Sequence, residues 1–450
     1  MKLIQEYKTQ GIYIFMGLIV LLFPFFPAYF FMLAFFCIAL FISRVRPGTT
    51  VFQMLARESD IRQGRLKGLT YLFLIIGSLF LISSIVGPSK FPIFIIGGAL
   101  AITTFGDGVA DLMNIHDKLS KQDNVKVYSA KSSIVFLISG GIYAFLAGGW
   151  ILYWGGQNIP YGLIFFLAVL GAVTGALLES MTSNEDFIVI PFGSAMTMWL
   201  FYTFRFSYPV NTLELIGVLC FAFLLGYLAY RMRIADISAM LSATLLGVVI
   251  IISTDIKWYV ILLAFFLLGG LFTRYKYDFK KSRGIAESKG GVRGYKNVFS
   301  NSLAALALAV AYKVFPSYAM LLLPAYLGSI ATATGDTLAS EIGQTWKGEP
   351  IMITTFKKVR HGTDGGVTTL GEFAAFAGAG VIALLSLMFL KNDVGLAFAV
   401  LAGGFIGTNI DSVLGAKLQQ RGYLSNNGVN LFATISGAII SAILYSSLGS

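Results

Sequence analysis

Apolar runs of about 20 residues recur from one end of this chain to the other, and they constrain its fold more than any other feature. A helix needs about 20 apolar residues to cross the hydrocarbon core of a bilayer. With 56% hydrophobic and only 12% charged residues, the 450-residue chain carries far more apolar surface than a soluble globular protein can bury. The sequence therefore predicts an all-α protein, a polytopic integral membrane helical bundle.

Most apolar runs predict one span each, whereas the longer run at 11–43 predicts two short spans because Pro24 and Pro27 interrupt it. The single-span runs are 68–87, 91–113, 132–154, 160–180, 187–204, 209–229, 234–253, 257–273, 298–316, 318–335, 367–390, 394–412 and 427–447. The first run, from Gly11, has no small-residue cleavage site and is interpreted as a span, not as a removable signal. The total is about 15 transmembrane helices.

The net charge of +11 is concentrated in a few loops, which is typical of membrane topology and not of nucleic-acid binding. The basic loops are 44–67, 116–131, 230–233, 274–296, 337–366 and 413–426. An even number of predicted crossings separates each loop from the next, so all lie on one face, which the positive-inside rule makes cytoplasmic. We therefore expect a multi-pass protein of the cell membrane whose active face is cytoplasmic, with no nucleic-acid partner.

Cysteine and histidine usage limits the kind of metal site that this chain could form. Cys37 and Cys220 both lie in apolar runs, which excludes a disulfide framework and a cysteine zinc site. His116 and His361 are too few for a histidine-based centre. Any metal would be held by oxygen ligands, which favours Mg²⁺ or Mn²⁺.

In the first half, polar residues gather where a predicted span ends. Asp107 and Asp111 are four residues apart, so on a helix they share a face and could hold one metal ion. Gly106 frees backbone N–H groups beside them, and Lys131 with Ser132 opens the next span as a possible phosphate site. The alternative is a pair of helix-end charges that face water.

These residues resemble the pattern of the CTP-dependent polyprenol kinases, the dolichol kinase and phytol kinase family. The matching positions are Gly106, Asp107, Ala110, Lys131 and Ser132, followed by Glu179, Asp186 and Pro191. The resemblance implies that residues 1–205 form a polyprenol kinase-like membrane domain that uses CTP. It also implies that Asp107 or Glu179 is the catalytic base toward an alcohol, with Asp111 and Asp186 as further polar residues of the site.

Polar residues are also dense in three blocks of the second half. The blocks contain Arg293, Asn297 and Asn301; then Asp336, Glu341, Lys357, Lys358, Arg360, Gly362, Thr363, Asp364, Gly365 and Gly366; then Asn409, Asp411, Ser412, Gln419, Asn427 and Asn430. Asp336 and Glu341 are five residues apart, so they meet only if the helix starts or bends between them. The turn 362–366 could form an anion-binding nest. The alternative, hydrogen bonding between packed helices, explains the small residues better than the carboxylates.

The second half resembles the plant phytyl-phosphate kinase family of integral membrane proteins over nearly all of 206–450, which we expect to be a second membrane domain. The matching strings run from Asp336 to Gly343, from Gly362 to Val367 and from Asp411 to Gln419. The resemblance implies that Asp336, Glu341 and Asp411 act as metal ligands or base. It implies phosphate or nucleotide binding by the residues Arg293, Lys357, Lys358, Arg360, Gly362, Thr363, Gly365, Gly366, Asn409 and Gln419.

The two families act in succession, so together they imply one function for the chain. A prenyl alcohol of the geranylgeraniol, phytol or farnesol type would be phosphorylated to the monophosphate and then to the diphosphate. CTP or another nucleoside triphosphate would be the donor, with Mg²⁺ or Mn²⁺ as cofactor, and the partners would be membrane lipids, the prenyl alcohol and its monophosphate. Two alternatives stay open: a transporter of an anionic lipid or phosphate compound, and a CTP-dependent cytidylyltransferase.

Overall fold

The computed structural model describes residues 2–121, 129–181, 186–209, 211–390 and 393–448, which are mostly helical. Residues 122–128 of the predicted basic loop 116–131 lie outside these residues. The chain divides into two compact units, Met1–Gly217 and Val218–Ser450. The predicted domain boundary at 205/206 lies earlier, at the 3₁₀ turn Arg205–Ser207.

The first unit is built from ten helices of the described chain and the start of an eleventh. They are α1 (Lys2–Met16), α2 (Ala28–Ser43), α3 (Thr50–Leu55), α4 (Glu58–Gln63), α5 (Lys67–Val86), α6 (Ile93–Ala101), α7 (Gly108–Lys121), α8 (Ala130–Trp154), α9 (Tyr161–Met181), α10 (Asp186–Thr203) and α11 (Thr212–Arg231). A 3₁₀ segment, Gly17–Phe25, extends α1 and ends at the break that Pro24 and Pro27 predict.

Helices α6 and α9 form the interior of the first unit. Almost every residue of α6 is buried, and so is most of α9, whereas α2 and α5 pack at the side through the rings of Phe35, Phe73 and Phe80. A π-helical segment, Ile102–Asp107, joins α6 to α7 and ends at Asp107. Because π turns inside helices occur frequently at functional sites, this irregularity draws attention to that carboxylate.

The second unit contains the rest of α11 and eight further helices of the described residues, with one small hairpin. They are α12 (Ile237–Ser253), α13 (Ile256–Arg274), α14 (Tyr277–Ser282), α15 (Tyr295–Val314), α16 (Ala319–Gly343), α17 (Thr369–Ser386), α18 (Val394–Leu414) and α19 (Asn426–Leu448). Strands β1 (Ile351–Met352) and β2 (Gly366–Val367) pair antiparallel between α16 and α17.

Helix α16 is the centre of the second unit and packs against α13, α15, α17, α18 and α19. The approach to α19 is so close that a Cβ at Gly437 would lie 1.9 Å from Thr332 Oγ1. Small residues permit this packing, which is how helices associate tightly inside a membrane. The C-terminal end of α16, which is predicted to lie on the cytoplasmic side, carries Asp336 and Glu341. The packing places this end among the neighbouring helices.

The structure confirms the predicted fold class. Each predicted span coincides with a helix in the described part of the chain. Twelve helical stretches are long and apolar enough to cross a membrane, and Ala28–Ser43 and Ile237–Ser253 are shorter apolar helices. The remaining predicted span is α10, which begins with Asp186 and contains Pro191. The chain is therefore a multi-pass integral membrane protein.

Candidate functional site

The first unit brings three buried carboxylates together. Oxygens of Asp107, Asp111 and Glu179 all lie within 4.8 Å of one another. Asp107 ends the π-helical segment, Asp111 follows one turn later in α7, and Glu179 lies near the end of α9. Three carboxylate oxygens at this spacing suit a hard divalent cation such as Mg²⁺ or Mn²⁺. This geometry adds Glu179, predicted as a base, to the two predicted metal ligands.

Arg57 lies against these carboxylates. Its Nη2 is 3.5 Å from Asp107 Oδ2, and its Nη1 is 3.9 Å from Asp111 Oδ2. The guanidinium lies between the rings of Tyr13 and Phe187, at 4.6 and 4.1 Å from their centroids. Burial alone would lower the pKa of Arg57, but the neighbouring carboxylates outweigh it and the pKa is raised. The cation therefore stays charged and compensates part of the acidic cluster.

Helices α1 and α10 complete the surroundings of this cluster. Gln10 Nε2 donates to Asp111 Oδ2 at 2.7 Å, and Gln10 Oε1 accepts from Arg57 Nη2 at 3.2 Å. Asp186, the buried first residue of α10, also acts electrostatically on Arg57. The amide of Gln10 therefore fixes both the carboxylate and the guanidinium.

The predicted phosphate residues of the first unit have structural contacts of their own. Ser132 is buried, and its Oγ donates to Ser129 O at 2.9 Å. The same Oγ accepts a hydrogen bond from Ser129 N, so the two serines cap the start of α8. The neighbouring Lys131 is exposed. Gly106 lies against Gly140 of α8. Phosphate binding by Gly106, Lys131 and Ser132 stays a prediction.

In the second unit, Asp336 of α16 and Asp411 of α18 face each other. Their carboxyl groups lie within hydrogen-bonding distance, and no described donor reaches the buried Asp411 Oδ2. Two carboxylates at this separation repel each other unless a proton or a cation lies between them. A divalent cation held by these oxygen ligands would relieve the repulsion, as would a shared proton.

The glycine-rich turn 362–366 lies beside this pair. Gly365 has a φ of +77°, and a Cβ there would lie 2.6 Å from Ser412 O, so glycine is required. Gln420 Nε2 donates to Asp364 O at 2.6 Å and ties the turn to the segment that follows α18. Partial burial raises the pKa of Asp364. The carboxylate of Asp364 also acts electrostatically on Asp411.

The remaining residues of the turn belong to the hairpin. Gly366 N donates to Thr363 O at 2.9 Å, and Gly362 has a φ of +80°. The predicted phosphate cations of the hairpin are exposed: Lys357, Lys358 and Arg360. Lys358 Nζ pairs with Glu349 Oε2 at 3.0 Å on the surface. No contact in the described chain brings these three cations to the acid pair.

The structure separates Glu341 from the other two predicted metal ligands. Helix α16 continues without a break through Gly343, and five residues place Glu341 about 140° around the helix from Asp336. Glu341 instead forms a buried ion pair with Lys280 of α14. The condition for Asp336 and Glu341 to meet, a helix start or bend between them, is not fulfilled.

The asparagines form hydrogen bonds between helices, as the alternative interpretation predicts. Asn430 Nδ2 of α19 donates to Asn301 Oδ1 of α15 at 3.4 Å, and Asn301 Nδ2 donates to Asn297 O at 2.9 Å. Asn409 Nδ2 of α18 donates to Glu372 Oε2 of α17 at 3.3 Å. The side-chain oxygen of Asn297 is buried without a described partner.

Three other predicted residues are half-buried around the C-terminal end of α18 and the start of α19. Ser412 provides the backbone oxygen that contacts the turn at Gly365. Gln419 ends a π-helical segment, Gly415–Gln419, and Asn427 lies in the first turn of α19. Nucleotide or phosphate binding by Gln419 stays a prediction, and so does the place of Ser412 and Asn427 as other polar residues of the site.

Sequence reasoning missed four residues of these clusters: Gln10, Arg57, Lys280 and Glu372. Arg57 and Lys280 are two of many cations in basic loops, and nothing in the sequence separates them from the others. Glu372 is different, because it is a carboxylate in a predicted span. An ionisable residue inside a span is a functional candidate by default, so this one could have been found.

Comparison with known proteins extends these observations. A family described as integral membrane protein DUF92 matches residues 220–438, within the second unit. An uncharacterized membrane protein of Methanocaldococcus jannaschii is 34% identical over 224 residues, which are 50% of this chain and 91% of that protein.

Two proteins of Arabidopsis thaliana are also similar. Protein PGR is 30% identical over 236 residues, 47% of this chain and 81% of its own length. The chloroplastic Protein VTE6 is 26% identical over 213 residues, 46% of this chain and 64% of its own length. No solved structure matches the chain.

The family match and the architecture agree. The matched region covers most of the second unit, including the Asp336–Asp411 pair and the glycine-rich turn beside it. The archaeal relative is similar over most of its own length. This chain therefore belongs to the integral membrane protein DUF92 family.

Proposed function

We propose that this protein is a membrane kinase that phosphorylates an isoprenoid alcohol to the monophosphate and then to the diphosphate. The observation that carries the proposal is the Asp336–Asp411 pair, whose carboxyl groups face each other. No described donor reaches Asp411 Oδ2, and a glycine-rich turn lies beside the pair. Such an arrangement suits Mg²⁺ and a phosphate group. The likeness to Protein VTE6 and the motif resemblance to plant phytyl-phosphate kinases support this choice of substrate.

The two units would divide the reaction between them. The carboxylates of Asp107, Asp111 and Glu179 would serve the alcohol in the first unit, and Asp336 with Asp411 would serve the monophosphate in the second. The monophosphate is an amphiphile that stays in the bilayer, so one chain with both activities keeps its effective concentration high. We propose the cytoplasmic face of a cell membrane as the active side, since the basic loops predict it.

The residues have separable tasks in this mechanism. Bound Mg²⁺ would supply charge neutralisation on the nucleotide phosphates. Asp336 and Asp411 would hold it in the second unit, and backbone N–H groups of the turn 362–366 would orient a phosphate. In the first unit, Glu179 or Asp107 would accept the proton of the prenyl hydroxyl. The second step needs no strong base, because its acceptor is already an anion.

The test is an incubation of the purified full chain with labelled geranylgeraniol, CTP and Mg²⁺, with products separated over time. We expect the monophosphate first and the diphosphate later. Asp336→Asn should lower the second step by about a hundredfold or more and leave the first unchanged, because a metal ligand supports several kcal/mol of transition-state stabilisation. Asp107→Asn should stop the first step but still convert added monophosphate.

The exposed carboxylate of Asp278 provides a matched control, and Asp278→Asn should leave both steps unchanged. Survival of both steps in Asp336→Asn would show that the assigned site is wrong. Release of pyrophosphate instead of CDP would identify a cytidylyltransferase. Movement of a phosphate compound across vesicles without any phosphorylation would identify a transporter.

A further inference from the structure

Two buried cations lie in the connection between α13 and α15. Lys280 of α14 has no exposed surface, and Arg293, just before α15, is 9% exposed. Both side chains reach the C-terminal part of α13, and both act on Glu341 at the end of α16. A buried charge is stable only when another charge or strong hydrogen bonds compensate it. The partners of each cation therefore decide what each can do.

Lys280 is fully satisfied by its neighbours. Its Nζ donates to Phe272 O at 3.2 Å, to Thr273 O at 2.8 Å and to the carboxylate of Glu341. A lysine ammonium has three donors, so none remains for a ligand. Lys280 and Glu341 thus form a closed pair that fastens the basic loop to α16.

Arg293 is only partly satisfied. Its Nη2 donates to Thr273 Oγ1 at 3.4 Å, whereas its buried Nη1 has no partner among the described residues. The guanidinium lies over the ring of Phe265 and fills the space beside Gly269, where a Cβ would approach Nη2 to 2.5 Å. The fold therefore makes room for a guanidinium and leaves one of its nitrogens without an acceptor.

The charges around Arg293 do not balance. Burial lowers the pKa of Arg293, and the carboxylates of Glu341 and Glu287 act in the opposite direction. Glu341 is already paired with Lys280, and Glu287 is exposed. An arginine stays protonated in proteins, so the buried group of Lys280, Glu341 and Arg293 keeps a net positive charge.

We propose that Arg293 is the buried donor of an anion site that binds a phosphate group of a substrate. The free Nη1 supplies a charge-assisted hydrogen bond, and the Lys280–Glu341 pair holds the connection in place without using the charge of Arg293. Glu341 is then a counter-ion and not a metal ligand. The identification of the anion as a phosphate rests on the kinase function proposed above. The phosphate belongs either to the prenyl monophosphate or to the nucleotide.

The experiment measures binding of geranylgeranyl monophosphate and of CTP, each titrated separately into the full chain by calorimetry with Mg²⁺ present. Arg293→Gln should weaken binding of at least one of them by about tenfold or more, because a charged hydrogen bond is lost. The ligand whose binding weakens identifies the source of the phosphate. Arg421→Gln, a change at an exposed arginine of the same unit, should leave both affinities unchanged.

Arg293→Lys keeps the charge and serves if Arg293→Gln does not fold. Lysine cannot reproduce the planar fork of arginine, so this variant should also bind several-fold more weakly. The proposal would be overturned if folded Arg293→Lys bound both ligands as tightly as the natural protein and Arg293→Gln, where it folds, did the same. Asp336→Asn should keep the Arg293-dependent binding while losing the second phosphorylation step. If binding depends on Arg293 but the protein phosphorylates no prenol, the proposed kinase function is wrong and the proposed anion site stands.

Discussion

Arg57 is the cation that compensates the charge of the first unit's acidic cluster. It touches Asp107 and Asp111 while its guanidinium lies between two aromatic rings. Arg57→Gln leaves buried carboxylates without this compensation, so we expect the free energy of unfolding to fall by about 3 kcal/mol. Mg²⁺ should raise the melting temperature more in this variant than in the natural protein, because the arginine no longer competes for the carboxylates. Thermal unfolding in detergent, with and without Mg²⁺, measures both effects.

Arg65 offers the matched control for this prediction. It is an exposed arginine of the same basic loop, so Arg65→Gln should change neither the melting temperature nor its response to Mg²⁺. An Arg57→Gln protein as stable as the natural one would mean that the ion pairs of Arg57 contribute nothing. If Mg²⁺ changed the melting temperature of neither Arg57→Gln nor the natural protein, this would argue against a metal at Asp107, Asp111 and Glu179.

At the level of elements, the Lys280–Glu341 pair connects the short helix α14 to the end of α16. Lys280→Met alone removes the ion-pair partner of the buried Glu341, which should cost about 3–5 kcal/mol of unfolding free energy. The double variant Lys280→Met with Glu341→Leu removes both charges and should recover most of that loss. A double-mutant cycle on denaturant unfolding in detergent measures the coupling.

The exposed pair of Lys358 and Glu349 serves as the comparison within the same unit. Their side chains are 76% and 63% exposed, and their coupling should not exceed about 1 kcal/mol. If the Lys280 and Glu341 effects simply add, the two side chains do not form the pair described here. Metal-dependent turnover that persists in the double variant would agree with Glu341 as a counter-ion.

At the level of the whole chain, the second unit should fold without the first. The archaeal relative, similar over 91% of its own length, matches only half of this chain. We expect a protein that begins at Asn211, and so keeps α11 intact, to insert into membranes and melt cooperatively. It should convert added prenyl monophosphate to the diphosphate but leave the alcohol unchanged. Aggregation of this fragment under conditions in which the full chain is monodisperse would contradict the prediction.

The helices and their limits follow from local chemistry. A run such as 132–154 is apolar over the length that a bilayer requires, and Pro24 and Pro27 disfavour a continuous α-helix. The span and the break between two spans can therefore both be predicted from the sequence. Asp107 and Asp111 share a helical face because four residues make about one turn. The fold class and this pair of carboxylates could therefore be predicted. Glu372 was open to prediction on the same local grounds, because it is a carboxylate inside a predicted span.

The partners of the charged residues were not open to prediction in this way. Arg57 meets Asp107 across 50 residues of sequence, and Lys280 meets Glu341 across 61. Nothing local distinguishes these cations from Lys357 or Arg360, which are exposed. Apolar length and helical period act between near neighbours along the chain, so residue order is enough to reveal them. Charge pairing acts through space between packed helices, so only the folded arrangement shows which carboxylates a cation compensates and which remain for a metal.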